Sequence, residues 1–188
     1  MKDASVAIRR AMRLDYQTIT DSGLVSILVT FLFPLLFPLI AFMVGTVGAL
    51  AFALAMLTPD TLIMWTAHRS RTHAETFTSM AGMADRPGIK HSVDAVRKAN
   101  GEQEIRFKNG SRILFGAREH GFGRGFAKVD VLIFDEAQIL TEKAMEDMVP
   151  ATNAAPNGLV FMIGTPPRPS DPGEVFTLRR EAALSGDD

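Results

Sequence analysis

The sequence contains no cysteine, and this absence excludes several kinds of chemistry. Disulfide frameworks, thiolate metal sites and cysteine nucleophiles all require that residue. The four histidines are also not spaced like zinc ligands, for example as two histidines four residues apart on a helix. We therefore expect neither a disulfide-stapled fold nor a zinc site.

Charge is missing from one long stretch, since residues 22–59 contain no Asp, Glu, Lys or Arg. About 20 apolar residues suffice to cross a bilayer, so this stretch is long enough for a transmembrane helix. Four basic residues precede it: Lys2, Arg9, Arg10 and Arg13. They would keep the N-terminus in the cytoplasm. The alternatives are a buried apolar stretch of a soluble protein or a leader produced by a frameshift.

The composition becomes that of an ordinary soluble protein at Asp60. We therefore divide the chain into an apolar N-terminal segment, residues 1–59, and a domain, residues 60–188. The net charge is only -1, but residues 65–128 hold 12 basic and 6 acidic groups, whereas residues 129–188 hold 4 and 11. The middle of the chain is therefore basic, and the part that follows it is acidic.

Within residues 60–188, apolar runs typical of buried strands alternate with helical patterns. The runs cover residues 61–67, 129–134 and 159–163. A helix is predicted after the first run, from the capping-box spacing of Thr72 and Glu75, and another from Thr141. Such alternation predicts an α/β sheet.

A β-hairpin is predicted between these units. Residues 104–107 and 112–115 have strand character, and Asn109-Gly110 between them suits a two-residue turn. The glycine-rich residues 116–125 that follow contain Arg118 and Arg124, and we expect them to form a functional or flexible loop.

Two adjacent carboxylates, Asp135 and Glu136, end the strand over residues 129–134. This is the Walker B pattern, in which the first carboxylate holds a hydrated magnesium ion and the second orients and deprotonates the attacking water. The pattern predicts Asp135 as the metal ligand and Glu136 as the catalytic base. The alternative is that the pair merely ends a strand and begins a helix. The later strand running into Gly164-Thr165-Pro166 favours the catalytic interpretation, because helicase-like ATPases have a coupling motif at this spacing.

Residues 61–168 resemble the ATPase domain of phage terminase large subunits. The resemblance rests on four segments in order: LIMWTAH, ANGEQEIRFKNGSRILFGAR, GRGFAKVDVLIFDEAQ and FMIGTPP. It implies a partial P-loop NTPase-like (ASCE) sheet with an inserted hairpin. It also implies that Arg118 or Arg124 assists γ-phosphate cleavage and that Asp135 and Thr165 contact the nucleotide.

The family's phosphate-binding motif is absent from the sequence. A P-loop, G-x-x-x-x-G-K-[ST], surrounds phosphates with backbone N–H groups and neutralises them with its lysine. None of the six lysines is followed by Ser or Thr. The nuclease domain that would follow in the family is also absent. We therefore expect a terminase fragment that hydrolyses ATP poorly or not at all by itself.

The resemblance implies ATP and Mg²⁺ as cofactors and double-stranded DNA, the terminase small subunit and the portal as partners. It also implies a homo-oligomer in the host cytoplasm. One alternative is a membrane-anchored, non-catalytic binding module held through residues 22–59. The other is a fragment of a helicase-like ATPase.

Overall fold

The computed structural model describes residues 33–99, 101–118, 122–123, 125–167 and 174–186, and it describes the side chains of all of these except 33–41 and 174. The chain divides into two compact units, Met1–Phe42 and Met43–Asp188. Of the first unit, only residues 33–42 are described, as the first part of a helix that continues into the second unit. The domain boundary drawn at Asp60 from composition stays a prediction.

Ten helices and strands are described. In chain order they are α1 (Phe33–Leu57), β1 (Leu62–Ala67), α2 (Ser70–Ala84), β2 (Val93–Arg97), β3 (Glu104–Phe107), β4 (Arg112–Ala117), β5 (Val131–Phe134), α3 (Glu142–Met148), β6 (Leu159–Met162) and α4 (Glu174–Ser185). Short 3₁₀ turns lie at Lys90–Ser92, Ala137–Ile139 and Val149–Thr152.

The six strands form one mixed sheet in the order β2-β3-β4-β1-β5-β6. Strand β1 is parallel to β4 and β5, and β5 is parallel to β6. Strands β2, β3 and β4 are antiparallel neighbours. The predicted α/β class and the inserted hairpin are thus confirmed, and the carboxyl ends of β1, β4, β5 and β6 meet at one edge of the sheet.

The two faces of the sheet carry separate cores. Ile63 and Trp65 of β1 face the first core, with α1 and α2, whereas Met64 faces the second core, with α3. Because β1 is buried on both faces, its sequence is a continuous apolar run rather than an alternating one.

The expected membrane span over residues 22–59 finds no support. Within the described part of the chain, no helix is both long enough and apolar enough to cross a membrane. The second half of α1 instead supplies buried residues to the first core, among them Ala51, Phe52 and Ala55. The Phe52 ring packs edge-on against Phe107, with ring centroids 5.0 Å apart. Residues 22–32 lie outside the described residues.

Two local predictions are wrong in detail. Helix α2 begins at Ser70, after Arg69, so Thr72 lies inside the first turn and does not cap the helix. The hairpin turn has three residues rather than two, since Phe107 N donates to Ser111 O (2.9 Å) and Gly110 N donates to Phe107 O (3.1 Å). Gly110, with φ +89°, takes the left-handed position of this turn.

Candidate functional site

Asp135 lies at the carboxyl end of β5, where the backbone turns away from the sheet. Its N–H donates to Thr66 O at the end of β1 (2.8 Å), which fixes the residue between the two strands. The side chain is only 5% exposed. Its Oδ2 accepts a hydrogen bond from Trp65 Nε1 (3.3 Å), and its Oδ1 accepts one from Glu136 N (2.9 Å). Each oxygen of the carboxylate therefore accepts one hydrogen bond.

Burial raises the pKa of the Asp135 carboxyl above its usual value. The hydrogen bonds from Glu136 N and Trp65 and the charge of Arg118 oppose this rise, whereas the nearby charge of Glu136 adds to it. A buried carboxylate with incomplete charge compensation gains from a bound cation.

Glu136 adopts the left-handed conformation, with φ 54° and ψ 46°. For a residue with a side chain this conformation costs roughly 1–2 kcal/mol, so the surroundings must hold it. The following backbone is tied to the end of β6, because Ala137 N donates to Ile163 O (2.9 Å). The Oε2 atom of Glu136 is buried and has no hydrogen-bond partner among the described residues. A buried carboxylate oxygen of this kind is free to accept a hydrogen bond from a bound water.

Arg118 follows β4, and its guanidinium lies beneath the Asp135-Glu136 turn. Nη1 donates to Thr66 O (3.0 Å), Thr66 Oγ1 (2.9 Å) and Asp135 O (2.9 Å), and Nη2 donates to Glu136 O (3.2 Å). The group also lies over the Phe134 ring, with 5.7 Å from Cζ to the ring centroid. Arg118 thus connects the carboxyl ends of β1 and β5. It donates to the carbonyls of Asp135 and Glu136, which flank the left-handed Cα of Glu136.

Burial lowers the pKa of Arg118 to about 10, although the charges of Glu136 and Asp135 oppose the shift. The guanidinium therefore stays protonated at neutral pH. It supplies a fixed positive charge near the two carboxylates, and this charge opposes the rise in the pKa of Asp135.

Gln138 connects the Asp135-Glu136 turn to the end of β6. Its Oε1 accepts a hydrogen bond from Thr165 N (3.3 Å). Gly164 passes so close that an added Cβ would lie 2.7 Å from Gln138 Oε1 and 3.0 Å from Gln138 N. A side chain at residue 164 would therefore have to displace Gln138. The segment around Thr165 is therefore in direct contact with the Asp135-Glu136 turn, which we call the carboxylate turn.

The structure brings together most of the residues predicted for the site. Asp135, Glu136, Arg118 and Thr165 gather at one edge of the sheet, whereas Arg124 lies outside the described residues. The roles assigned to them stay predictions. The sequence did not identify Trp65 or Gln138 as part of the site. For Gln138, the available signal was its position directly after Asp135-Glu136-Ala137.

The donor set fits a magnesium–nucleotide complex rather than an all-protein metal site. Among the described residues, no group of three or more His, Asp or Glu side chains is arranged to hold a metal ion. Magnesium bound with a nucleotide commonly takes one or two carboxylates from the protein and its other ligands from phosphates and water. Asp135 and the unpartnered Oε2 of Glu136 match that requirement.

The sheet order, with paired carboxylates at the end of the interior strand β5, is consistent with a P-loop-like fold. Among solved structures, the chain is similar to the crystal structure of the HK97 bacteriophage large terminase, with a TM-score of 0.64 and 16% sequence identity. It is also similar to the large terminase from a thermophilic bacteriophage, with a TM-score of 0.50 and 12% identity. The resemblance to phage large terminases is thus confirmed as a likeness of fold.

The matched regions cover 77% and 69% of this chain, but only 31% and 32% of the HK97 protein and the thermophilic phage protein, respectively. The chain therefore spans about a third of the length of these terminases. No protein-family model and no curated protein sequence matches it.

Proposed function

We propose that the chain is part of a phage large-terminase ATPase and that its carboxylate turn belongs to a magnesium–ATP site. The observation that carries this proposal is the contact between two motifs at one sheet edge. Asp135 and Glu136 end β5, and Gln138 joins them to Thr165 after β6. The likeness of fold to two phage large terminases supports the choice of family.

In the proposed reaction, Asp135 binds the cation and Glu136 acts on the attacking water. Magnesium, when bound, would neutralise charge on the phosphates. The Trp65 and Glu136 N donors orient the Asp135 carboxylate. The buried Oε2 of Glu136 accepts a proton from a water, which then attacks the γ-phosphorus as the bond to the β-phosphate oxygen breaks.

The phosphate-binding part of such a site is missing from this sequence, since no lysine precedes a Ser or Thr. Without backbone N–H groups and a lysine around the phosphates, positioning and charge neutralisation are both reduced. We therefore propose weak magnesium-dependent nucleotide binding and little or no turnover by the chain alone. DNA translocation, partners such as the small subunit and the portal, oligomerisation and a location in the host cytoplasm belong to the same proposal for the complete motor.

The test is titration of the full chain with a fluorescent ATP analogue, with and without Mg²⁺. Binding should require Mg²⁺ and should be weakened about 10-fold or more by Asp135→Asn, because a lost cation contact costs at least about 1.4 kcal/mol. Glu136→Gln should leave binding within about twofold, since the base acts in the reaction rather than in binding. Nucleotide binding that is indifferent to both Mg²⁺ and Asp135→Asn would overturn the assigned site.

Hydrolysis is measured separately by phosphate release. Clear turnover abolished by Glu136→Gln would overturn the expected inactivity of the isolated chain while supporting the role of Glu136. Clear turnover unaffected by Glu136→Gln would instead exclude Glu136 as the base.

A further inference from the structure

A buried carboxylate lies among three arginines on the antiparallel part of the sheet. Glu104 Oε2 is 3.6 Å from Arg97 Nε and 2.9 Å from Arg106 Nε, and Glu104 Oε1 is 3.6 Å from Arg112 Nη1. The three arginines come from three neighbouring strands, β2, β3 and β4. We call Arg97, Arg106 and Arg112 the arginine triad.

The strand register concentrates positive charge at this place. Arg106 lies directly opposite Arg112, and Arg97 lies directly opposite Glu104. Like charges directly opposite each other on a sheet are destabilising, so the Arg106–Arg112 pair needs compensation. Glu104 supplies one negative charge against three positive charges. Two positive charges are therefore left in excess on one small area of the sheet.

The exposures of these side chains differ sharply. The Glu104 side chain is 5% exposed, whereas the side chains of Arg97, Arg106 and Arg112 are 51%, 34% and 43% exposed. The carboxylate thus lies underneath and the guanidinium groups lie toward solvent. The residues that alternate with them, including Ile105 and Ile113, are buried in the first core and fix the strands.

The ion pairs do not use up the donors of the triad. Despite its short distance to Glu104, Arg106 Nε makes no aligned hydrogen bond, and Glu104 Oε1 accepts none from the described residues. The carboxylate therefore holds the three guanidinium groups mainly by charge. Their remaining N–H groups can meet an anion that arrives from solvent, and a planar guanidinium can donate two parallel bonds to a phosphate.

We propose that the arginine triad binds the phosphodiester backbone of DNA and that Glu104 positions its guanidinium groups. All three guanidinium groups lie within 3.6 Å of the Glu104 carboxylate, so they form one compact positive patch. A patch of half-exposed arginines on the surface of a sheet suits the phosphates of a linear polyanion better than a small enclosed anion. The choice of DNA rests on the proposed function, whereas the site itself rests on the geometry of the triad.

The experiment measures binding of the full chain to a short fluorescein-labelled DNA duplex by anisotropy over a range of salt concentrations, without nucleotide. Replacing all three arginines by alanine should flatten the slope of log K against log salt by about 2 to 3, since each phosphate contact contributes about 0.9. Arg97→Ala or Arg112→Ala alone should flatten it by about 1. The single variants keep the test valid if the triple variant does not fold.

Arg71→Ala is the matched control, because Arg71 is also paired with a carboxylate, Glu75, but its side chain is 91% exposed on α2. The proposal is overturned if Arg71→Ala flattens the slope as much as Arg97→Ala and Arg112→Ala do. It is also overturned if the two single variants leave the slope unchanged, which would make the triad a purely structural ion cluster.

Glu104→Gln separates a positioned site from a simple excess of charge. If Glu104 positions the guanidinium groups, this variant should bind DNA more weakly although it gains one positive charge. Tighter binding would overturn the positioning role. The Asp135→Asn variant distinguishes the two proposals, because it should lose magnesium–nucleotide binding and keep the DNA salt slope. DNA binding through the triad with no nucleotide binding would contradict only the proposed ATP site.

Discussion

Trp65 and Asp135 are joined by a hydrogen bond from the indole Nε1 to Oδ2, 3.3 Å long and buried between the ends of two adjacent parallel strands. The indole is fully buried. A tryptophan in this position contributes both a packed ring to the core and a donor to the carboxylate. The only tryptophan of the chain therefore connects the core to the candidate site.

The first prediction concerns this hydrogen bond. Trp65→Phe removes the donor and should destabilise the fold by about 1–3 kcal/mol, since a buried acceptor loses its partner. Part of the loss will come from the smaller ring. A double-mutant cycle with Asp135→Ala, measured by urea unfolding followed by circular dichroism, isolates the pair because alanine offers no side-chain acceptor. A coupling energy near zero at neutral pH would show that the hydrogen bond contributes nothing.

The second prediction concerns pH. Burial raises the folded-state pKa of Asp135 above the usual value of 3.8, so between these two pKa values the folded state holds more protons than the unfolded state. The contribution of Asp135 to stability should then fall as pH rises through that window. Asp135→Asn should abolish this fall, because the amide does not titrate.

The free energy of unfolding is measured at a series of increasing pH values in a buffer containing EDTA. The series starts just below the usual pKa of an aspartate. Asp94→Asn, an exposed carboxylate on β2, is the matched control for the same chemical change. If Asp135→Asn follows the wild-type pH dependence, the burial of the ionised carboxylate is not a determinant of stability.

The strands that end at the site were predictable from the sequence because their apolar runs are unbroken. Residues 129–134 and 159–163 contained the observed β5 and β6, and Thr141 begins helix α3 by accepting a hydrogen bond from Ala144 N. Strand β2 was missed, because Asp94 interrupts its short sequence and the pairing with β3 shifts register there. Strand β2 is stabilised by its pairing with β3, and its own sequence has no apolar pattern that would predict a strand.

The remaining differences arise from tertiary contacts. A charge-free apolar stretch is expected both in a membrane helix and in a helix that packs Phe52 into a core, so the absence of charge could not distinguish them. The loop with Arg118 was predicted, but its contacts with Thr66, 52 residues earlier, depend on the pairing of β1 with β4 and β5. The left-handed turn at Glu136 likewise has no signal in the residue type.

The third prediction concerns Arg118. Arg118→Ala removes one donor from each of the carbonyls of Thr66, Asp135 and Glu136 and should cost about 2 kcal/mol of stability. The expected loss is not larger because Thr66 O keeps the bond from Asp135 N and Glu136 O keeps the bond from Ile139 N. Arg118→Lys should recover less than half of that loss, because an ammonium group cannot span the four acceptors. Hydrogen exchange at Ala137 should accelerate in the alanine variant as the left-handed turn loosens.

Arg86→Ala, at an exposed arginine after α2, controls for the loss of charge. If Arg118 acts solely on a bound γ-phosphate, Arg118→Ala will be as stable as Arg86→Ala and will exchange at the wild-type rate.

The fourth prediction concerns the close approach of Gly164 to the Asp135-Glu136 turn. In Gly164→Ala the new methyl group would meet Gln138 Oε1 at 2.7 Å, and Gln138 N and Ala137 N at 3.0 and 3.2 Å. The Gln138 side chain can turn away, but it then loses the hydrogen bond from Thr165 N. The two backbone nitrogens cannot move without disturbing the bond from Ala137 N to Ile163 O. We expect a loss of about 1–3 kcal/mol from overpacking.

Gly82→Ala is the matched control, because Gly82 lies within helix α2 and an added Cβ there meets nothing within 4 Å. It should stabilise the protein by about 0.5–1 kcal/mol through helix propensity alone. The double variant Gly164→Ala/Gln138→Ala should be less destabilised than the sum of its single variants, since Gln138→Ala removes the nearest clashing atom. The free energy of unfolding of each variant is measured in urea. If the losses of the two single variants simply add in the double variant, removing the Gln138 side chain relieves no clash with residue 164. The Gln138 side chain would then not hold Thr165 against the carboxylate turn.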